Sequence, residues 1–246
     1  MAEYPILPKA PITEALIDIR IKIKEDYKVE QLLPLYDLIS GQYPEKKSRH
    51  KWEGKLEFKK DELPTSSGIH AIDGYIFTSI DKKQIFQARV DGFTFNKLKP
   101  YDRWDTFRDE ALRLWKLYRD VTAPEIMRVA LRFINKFDIP LPIQDFNEYL
   151  TAAPIVPEGL PQGVNSFLTR IVIHEPEIDA TAIITQVFEQ IVHPSYLPII
   201  LDIDVFKQKS KGITEEEAWQ SLEKFRHFKN KIFFKSISEK AKELFQ

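Results

Sequence analysis

Ala15-Leu16-Ile17-Asp18-Ile19-Arg20-Ile21-Lys22-Ile23 decides the fold. Ala15, Ile17, Ile19, Ile21 and Ile23 fall on one face of an extended chain, with Asp18, Arg20 and Lys22 on the other. Period two over this length describes a strand that is wet on one side and buried on the other. A sheet built from such strands has an apolar face that other elements must cover.

Outward from this strand, Pro5, Pro8 and Pro11 form an extended lead-in. On its other side, residues 29–40 predict a helix with Pro34 in its first turn or at a kink, because a mid-helix proline removes a donor and clashes with the preceding turn. Residues 50–59, 69–80 and 84–98 alternate at hairpin spacing and predict three strands; Asp91-Gly92 marks a bulge or tight turn in the third. Asp102 is placed to cap a helix whose stripe is Trp104, Phe107, Ala111, Leu114, Trp115 and Tyr118. After Thr122-Ala123-Pro124 the order restarts. Residues 126–139 predict a strand, 144–150 a short helix and 151–163 a Pro- and Gly-rich loop. Residues 166–174, 180–190 and 198–207 predict three more strands. A long helix begins at Thr214, where Thr214 and Glu217 fit a capping box. Both halves then read β-α-β-β-β-α. The expected class is α+β, with pseudo-repeats 1–123 and 124–246 whose antiparallel sheets join edges into one curved, helix-covered unit.

Composition narrows the chemistry. The 246 residues carry 36 Lys+Arg and 37 Asp+Glu, a formal net charge of −1, which disfavours a strongly basic nucleic-acid binder. No cysteine is present, which removes disulfides, thiolate metal sites and a cysteine nucleophile. Eight glycines form neither a phosphate loop nor a dinucleotide fingerprint. The N-terminus lacks the basic and apolar regions of a signal peptide, and no apolar run suffices to span a bilayer. A cytoplasmic protein that requires no membrane is the expectation.

Four stretches carry a family resemblance: Tyr4-Pro5-Ile6-Leu7-Pro8-Lys9-Ala10-Pro11-Ile12-Thr13-Glu14-Ala15; Arg132-Phe133-Ile134-Asn135 with Ile139-Pro140; Leu201-Asp202-Ile203-Asp204; and Lys229-Asn230-Lys231-Ile232-Phe233-Phe234, running on through Ser236-Ile237-Ser238-Glu239-Lys240-Ala241 to Phe245. In this set and order the chain resembles an uncharacterised prokaryotic family of about this length, scattered sporadically among bacteria and archaea. The resemblance implies no activity and no catalytic residues. A sporadic distribution implies a mobile or defence-linked setting, including phage defence.

Within this frame, Asp202 and Asp204 are two apart on a strand, so both carboxylates share a face and offer a divalent-cation or acid–base pair. The plain alternative is an amphipathic strand with Leu201, Ile203 and Val205 in the core. His50, His70, His174, His193 and His227 have no helical zinc spacing. Arg132 and Asn135 offer an anion-binding pair, or Asn135 pins the strand end through backbone bonds. Lys46, Lys47, Arg49 and Lys51, continuing through Lys55, Lys59 and Lys60 with Trp52 and Phe58 interleaved, offer phosphate contacts with stacking; alternation instead puts the lysines on a solvated face. A second basic cluster on the last helix comprises Lys224, Arg226, Lys229, Lys231 and Lys235. Phe233, Phe234, Ile237 and Phe245 are too apolar for a frayed terminus and should be buried, in this chain or against another copy.

Three functions follow. The preferred expectation is a non-enzymatic binding or interaction protein, regulatory or defence-associated. It would need no cofactor and would meet an unknown protein partner or a second copy through Phe234, Ile237 and Phe245. The second is a metal-dependent enzyme using Asp202 and Asp204. The third is a nucleic-acid binder working through Lys46, Lys47, Arg49 and Lys51.

Overall fold

The decisive strand, β1, runs Ile12–Ile21. In the computed structural model, which describes residues 4–23, 27–57, 65–188 and 194–246 (only the backbone for 52–57 and 65–70), Ala15, Ile17 and Ile19 have no exposed surface. β1 pairs antiparallel on both sides: with β5 (Gly92–Leu98) through Ile17↔Phe95, and with β6 (Ile126–Pro140) through Ile17↔Leu131. The sheet extends beyond β5 through β4 (Gln84–Arg89), β3 (Thr65–Thr78) and β2 (Glu45–Glu57). Beyond β6 it extends through β9 (Tyr196–Ile213), β8 (Ala180–Phe188) and β7 (Phe167–Glu175). The result is one curved nine-stranded antiparallel sheet, ordered β2-β3-β4-β5-β1-β6-β9-β8-β7.

This corrects the expected pair of β-α-β-β-β-α repeats. In the first half residues 84–98 are two strands, because Val90-Asp91 turns the chain and Gly92 starts a new strand. A Cβ at Gly92 would lie 2.4 Å from the Ile19 carbonyl oxygen, so only glycine permits this approach of β5 to β1. In the second half residues 144–150 form only a single 3₁₀ turn, Phe146–Glu148, capped by Asp145. The turn ends at Tyr149, and Leu150 then bridges to Ile237 as extended chain, so the turn does not continue into an α-helix. The halves therefore differ in strand number and in helices, and the helices gather over the middle of a single sheet.

Near the start of the chain, residues 29–40 divide into a 3₁₀ turn, Val29–Leu32, and α1 (Pro34–Ile39), with Pro34 at the helix N-terminus. α2 spans Trp104–Thr122 and ends at Ala123 in the left-handed region. α3 spans Glu215–Ser236, with the Thr214 hydroxyl accepting from the Glu217 amide at 3.1 Å. α2 lies over β5, and α3 over β6 and β9. The two helices are antiparallel: Arg119 near the end of α2 meets Glu215 at the start of α3 at 3.2 Å, while Arg108 and Trp104 reach Glu223 at 2.9 and 2.8 Å. Between helices and sheet, Phe77, Phe86 and Phe93 form tilted pairs across β3, β4 and β5 at 5.3–5.4 Å, and Trp115 closes the row edge-on at 5.7 Å. Such pairs add about 0.5–1.5 kcal/mol each beyond area burial.

At the C-terminus α3 stops at Ser236, Ile237 turns extended, and Ser238 caps α4 (Glu239–Glu243) by accepting from the Ala241 amide. Ile237 and Phe245 are buried in the chain's own core. Phe245 meets Phe137 edge-on at 5.5 Å, and its carbonyl accepts from the Lys9 amide at 3.0 Å. Phe245→Ala should lower the unfolding free energy by about 3 kcal/mol, the cost of truncating a buried phenylalanine. Urea denaturation should show this loss with a midpoint independent of protein concentration. A midpoint that rises with concentration would instead place the tail against a second copy.

Candidate functional site

The β1–β6 seam is also a floor. Above its end, where the start of α2 and the second half of α3 part, a cleft of about 1030 Å³ opens to solvent. Residues 4–13 form one wall. Their three prolines fix φ at three points of this strap, which turns at Pro8-Lys9. Tyr4 stacks on Phe234 with ring centroids 4.9 Å apart, and the Pro11 carbonyl accepts from the Lys136 amide at 2.8 Å. The opposite wall is the β5–α2 connection, 99–103, tied to β1 by the Lys99 amide donating to the Thr13 carbonyl at 3.0 Å. Phe133 and Asn135 of β6 line the cleft from below.

Its lining is basic in a chain of net charge −1. Lys9, Lys83, Lys99, Arg103, Lys136, Arg226 and Lys229 face only Asp102 and Asp105. Among the described residues, Arg226 has a carboxylate no nearer than Glu223 at 4.0 Å, and Lys229 has none within that distance. The start of α2 adds to this charge. The helix begins from Arg103, whose side chain makes no cap. Asp102, the expected cap, instead lies 3.8 Å from Lys97. First-turn amides of a 19-residue helix are thus left uncapped at the cleft, and they favour negative charge.

Lys229 is the unusual member. Its residue is only 8% exposed, its Nζ lies 3.7 Å from the centroid of the Phe133 ring, and it makes no hydrogen bond among the described residues. Burial, with repulsion from Arg226 added, pushes its pKa down to about 7. The sequence carried a signal for this. Leu222, Phe225, Lys229 and Ile232 follow three- and four-residue steps, so Lys229 sits in the apolar stripe of α3 and not on its wet face. Grouping it with Lys224, Lys231 and Lys235 concealed that phase.

Asp202 and Asp204 lie on the opposite, helix-free face, where arginines engage them. Arg132 Nε donates to Asp202 at 2.8 Å, and Arg128 bridges Asp204 and Asp18, both at 3.1 Å. Burial raises the Asp204 pKa against the pull of Arg128 and Arg132. Burial also pushes Asp18 up, but Arg89, the Thr94 hydroxyl and Arg20 outweigh it and hold Asp18 low. Among the described residues no three His, Asp or Glu side chains converge on a cation site. Arg132 and Asn135 point to opposite faces; the Asn135 amide donates to the Leu201 carbonyl at 3.0 Å, tying β6 to β9. Lys46, Lys47, Arg49 and Lys51 lie on β2, an edge strand. Lys46 sits over the Tyr36 ring at 4.8 Å, Lys47 pairs with Glu45 at 2.6 Å, Arg49 pairs with Asp73, and Lys51 borders a small pocket with Tyr27. Phe58, Lys59, Lys60 and His193 lie outside the described residues, as do the side chains of Trp52, Lys55 and His70. Of the expected interaction residues, Phe234 alone lines the cleft.

No family model matches the chain, and no curated protein matches it. Among the described residues, no helix is long and apolar enough to cross a membrane. Parts of three of the four stretches that carry the resemblance line the cleft: residues 4–13, Phe133 with Asn135, and Lys229, Asn230, Phe233 and Phe234.

Lys229 sets a pH dependence. The folded chain releases this proton near pH 7 and the unfolded chain near 10.5, so between these values the unfolded state holds more protons and stability rises with pH. The burden on the fold is full below about pH 7 and fades toward 10.5. Lys229→Met should therefore be more stable than the parent under mildly acidic conditions. Its advantage should shrink on raising pH by up to about 1.4 kcal/mol per unit, measured by urea denaturation across that range. An advantage that does not change with pH would show that Lys229 stays charged throughout.

Proposed function

We propose that this protein is a non-enzymatic binding protein whose ligand is a small amphipathic anion held in the cleft. It belongs, in this view, to the sporadically distributed prokaryotic family that it resembles. The observation that carries this is the set of cations without close carboxylate partners, Lys229 and Arg226 foremost, set against the aromatic walls of Tyr101, Trp104, Phe133 and Phe234. Ligand clefts of small molecules occupy about 300–1,000 Å³, are mostly apolar and carry a few placed polar groups. Cations under an apolar strap suit an anionic group joined to a flat apolar body. A defence-associated or regulatory role fits a protein that senses such a ligand.

The test uses 8-anilinonaphthalene-1-sulfonate, an aromatic sulfonate, titrated into the full chain at neutral pH. One saturable site is expected. Its affinity should fall about tenfold or more, the equivalent of losing about 1.4 kcal/mol, in Arg226→Gln and in Lys229→Met, and it should weaken with added salt. Absence of saturable binding, or an affinity unchanged from the parent chain in both variants, would rule out the cleft as an anion site.

A further inference from the structure

We propose that the Lys229 amine captures a carbonyl compound, an aldehyde or keto acid bearing an anionic group, as a reversible imine inside the cleft. This rests on the cleft being an anion site, and it adds a covalent step to it. Three features of the structure point to it. Lys229 is buried in an apolar stripe and lines the cleft, with no carboxylate among the described residues to hold its ammonium form. Arg226 lies three residues earlier, on the same side of α3 and also on the cleft wall, so an anion engaged there brings its substituents to Lys229. The Phe133 ring, 3.7 Å from the Nζ at its centroid, covers one side of the amine.

Lysine becomes a nucleophile when it is desolvated beside another cation, because the neutral amine is then populated near neutrality. Arg226 on α3 is the charged group that acts on it; Lys136 on β6, Lys9 on the strap, and Asp102, Arg103 and Asp105 at the start of α2 line the same cleft. In the reaction, the Nζ lone pair forms a bond to the carbonyl carbon, the C=O π bond breaks, and the carbonyl oxygen takes up one proton as the nitrogen loses one. The resulting carbinolamine gains one proton from solvent and its C–O bond breaks, releasing water and leaving a protonated imine. No oxidant or reductant is consumed, and water reverses the step.

4-Formylbenzoate combines the three required features: an anion, a flat ring and an aldehyde. The full chain would be incubated with it and cyanoborohydride at neutral pH, with peptide mass mapping of the reduced adduct and parallel displacement of 8-anilinonaphthalene-1-sulfonate. Lys229 should be labelled at least about tenfold faster than the exposed lysines. Displacement of the fluorophore without preferential labelling of Lys229 would overturn the imine and leave the anion site standing. Bound fluorophore that 4-formylbenzoate does not displace, with no preferential labelling of Lys229, would overturn the imine, and absence of saturable fluorophore binding from the start would overturn both. Because labelling is read on the unmutated chain, misfolding of a variant cannot imitate either outcome.

Discussion

The pairing of β1 with β5 on one side and β6 on the other is the constraint on which the rest depends. Two runs of strands, each with a spare edge, become one sheet through it, and their helices fall on the same face. The join is held at its polar side as well as by its ladder. Asp18 of β1 receives Arg89 of β4 at 3.0 Å, Thr94 of β5 at 2.8 Å and Arg128 of β6 at 3.1 Å, so one carboxylate ties both flanks. Arg89 also reaches Asp91 at 2.9 Å, fixing the turn that lets Gly92 approach β1. Removing one partner from such a buried charged set leaves the others uncompensated, typically at a cost of several kcal/mol.

Charge is treated differently on the two faces. On the helix-free face Arg20, Asp18, Arg128 and Asp204, with Arg132 and Asp202 beside them, alternate in sign across the central strands, so each charge has an opposite neighbour. On the helix face the core is apolar until the helices diverge, and there the cations collect with few acids to balance them. A buried lysine without a counter-ion meets that situation by giving up its proton, which is the physical link between the fold and the reactivity assigned to Lys229. The strap and the tail belong to the same arrangement. Phe245 receives the Lys9 amide and Phe234 carries Tyr4, so the C-terminal segment holds the N-terminal wall in place.

Much of the local structure was legible because it depends on periodicity. β1, β6, the stripe of α2 and the Thr214 start of α3 all follow from spacing and caps within a single segment. What was not legible depended on contacts between segments. Whether Asp91-Gly92 is a bulge or a full turn is decided by the approach of Gly92 to Ile19, which lies far away in sequence. Asp102 reads as a cap until Lys97 is seen beside it. Asp202 and Asp204 read as a pair until Arg128 and Arg132 arrive from β6. The cleft itself has no local signature, since it is assembled from the strap, the start of α2, β6 and α3. Lys229 alone has a local signature, its place in the apolar stripe of α3.

The central claim is that Lys229 is an unpaired amine buried above the β1–β6 seam. Nuclear magnetic resonance titration of lysine side chains in isotopically labelled protein, with the Lys229 signal assigned by its loss in Lys229→Arg, tests it most directly. The account predicts one lysine titrating near pH 7, well separated from the rest. A Lys229 signal that titrates with the surface lysines near 10.5 would show the amine to be solvated or paired, and the account would be wrong.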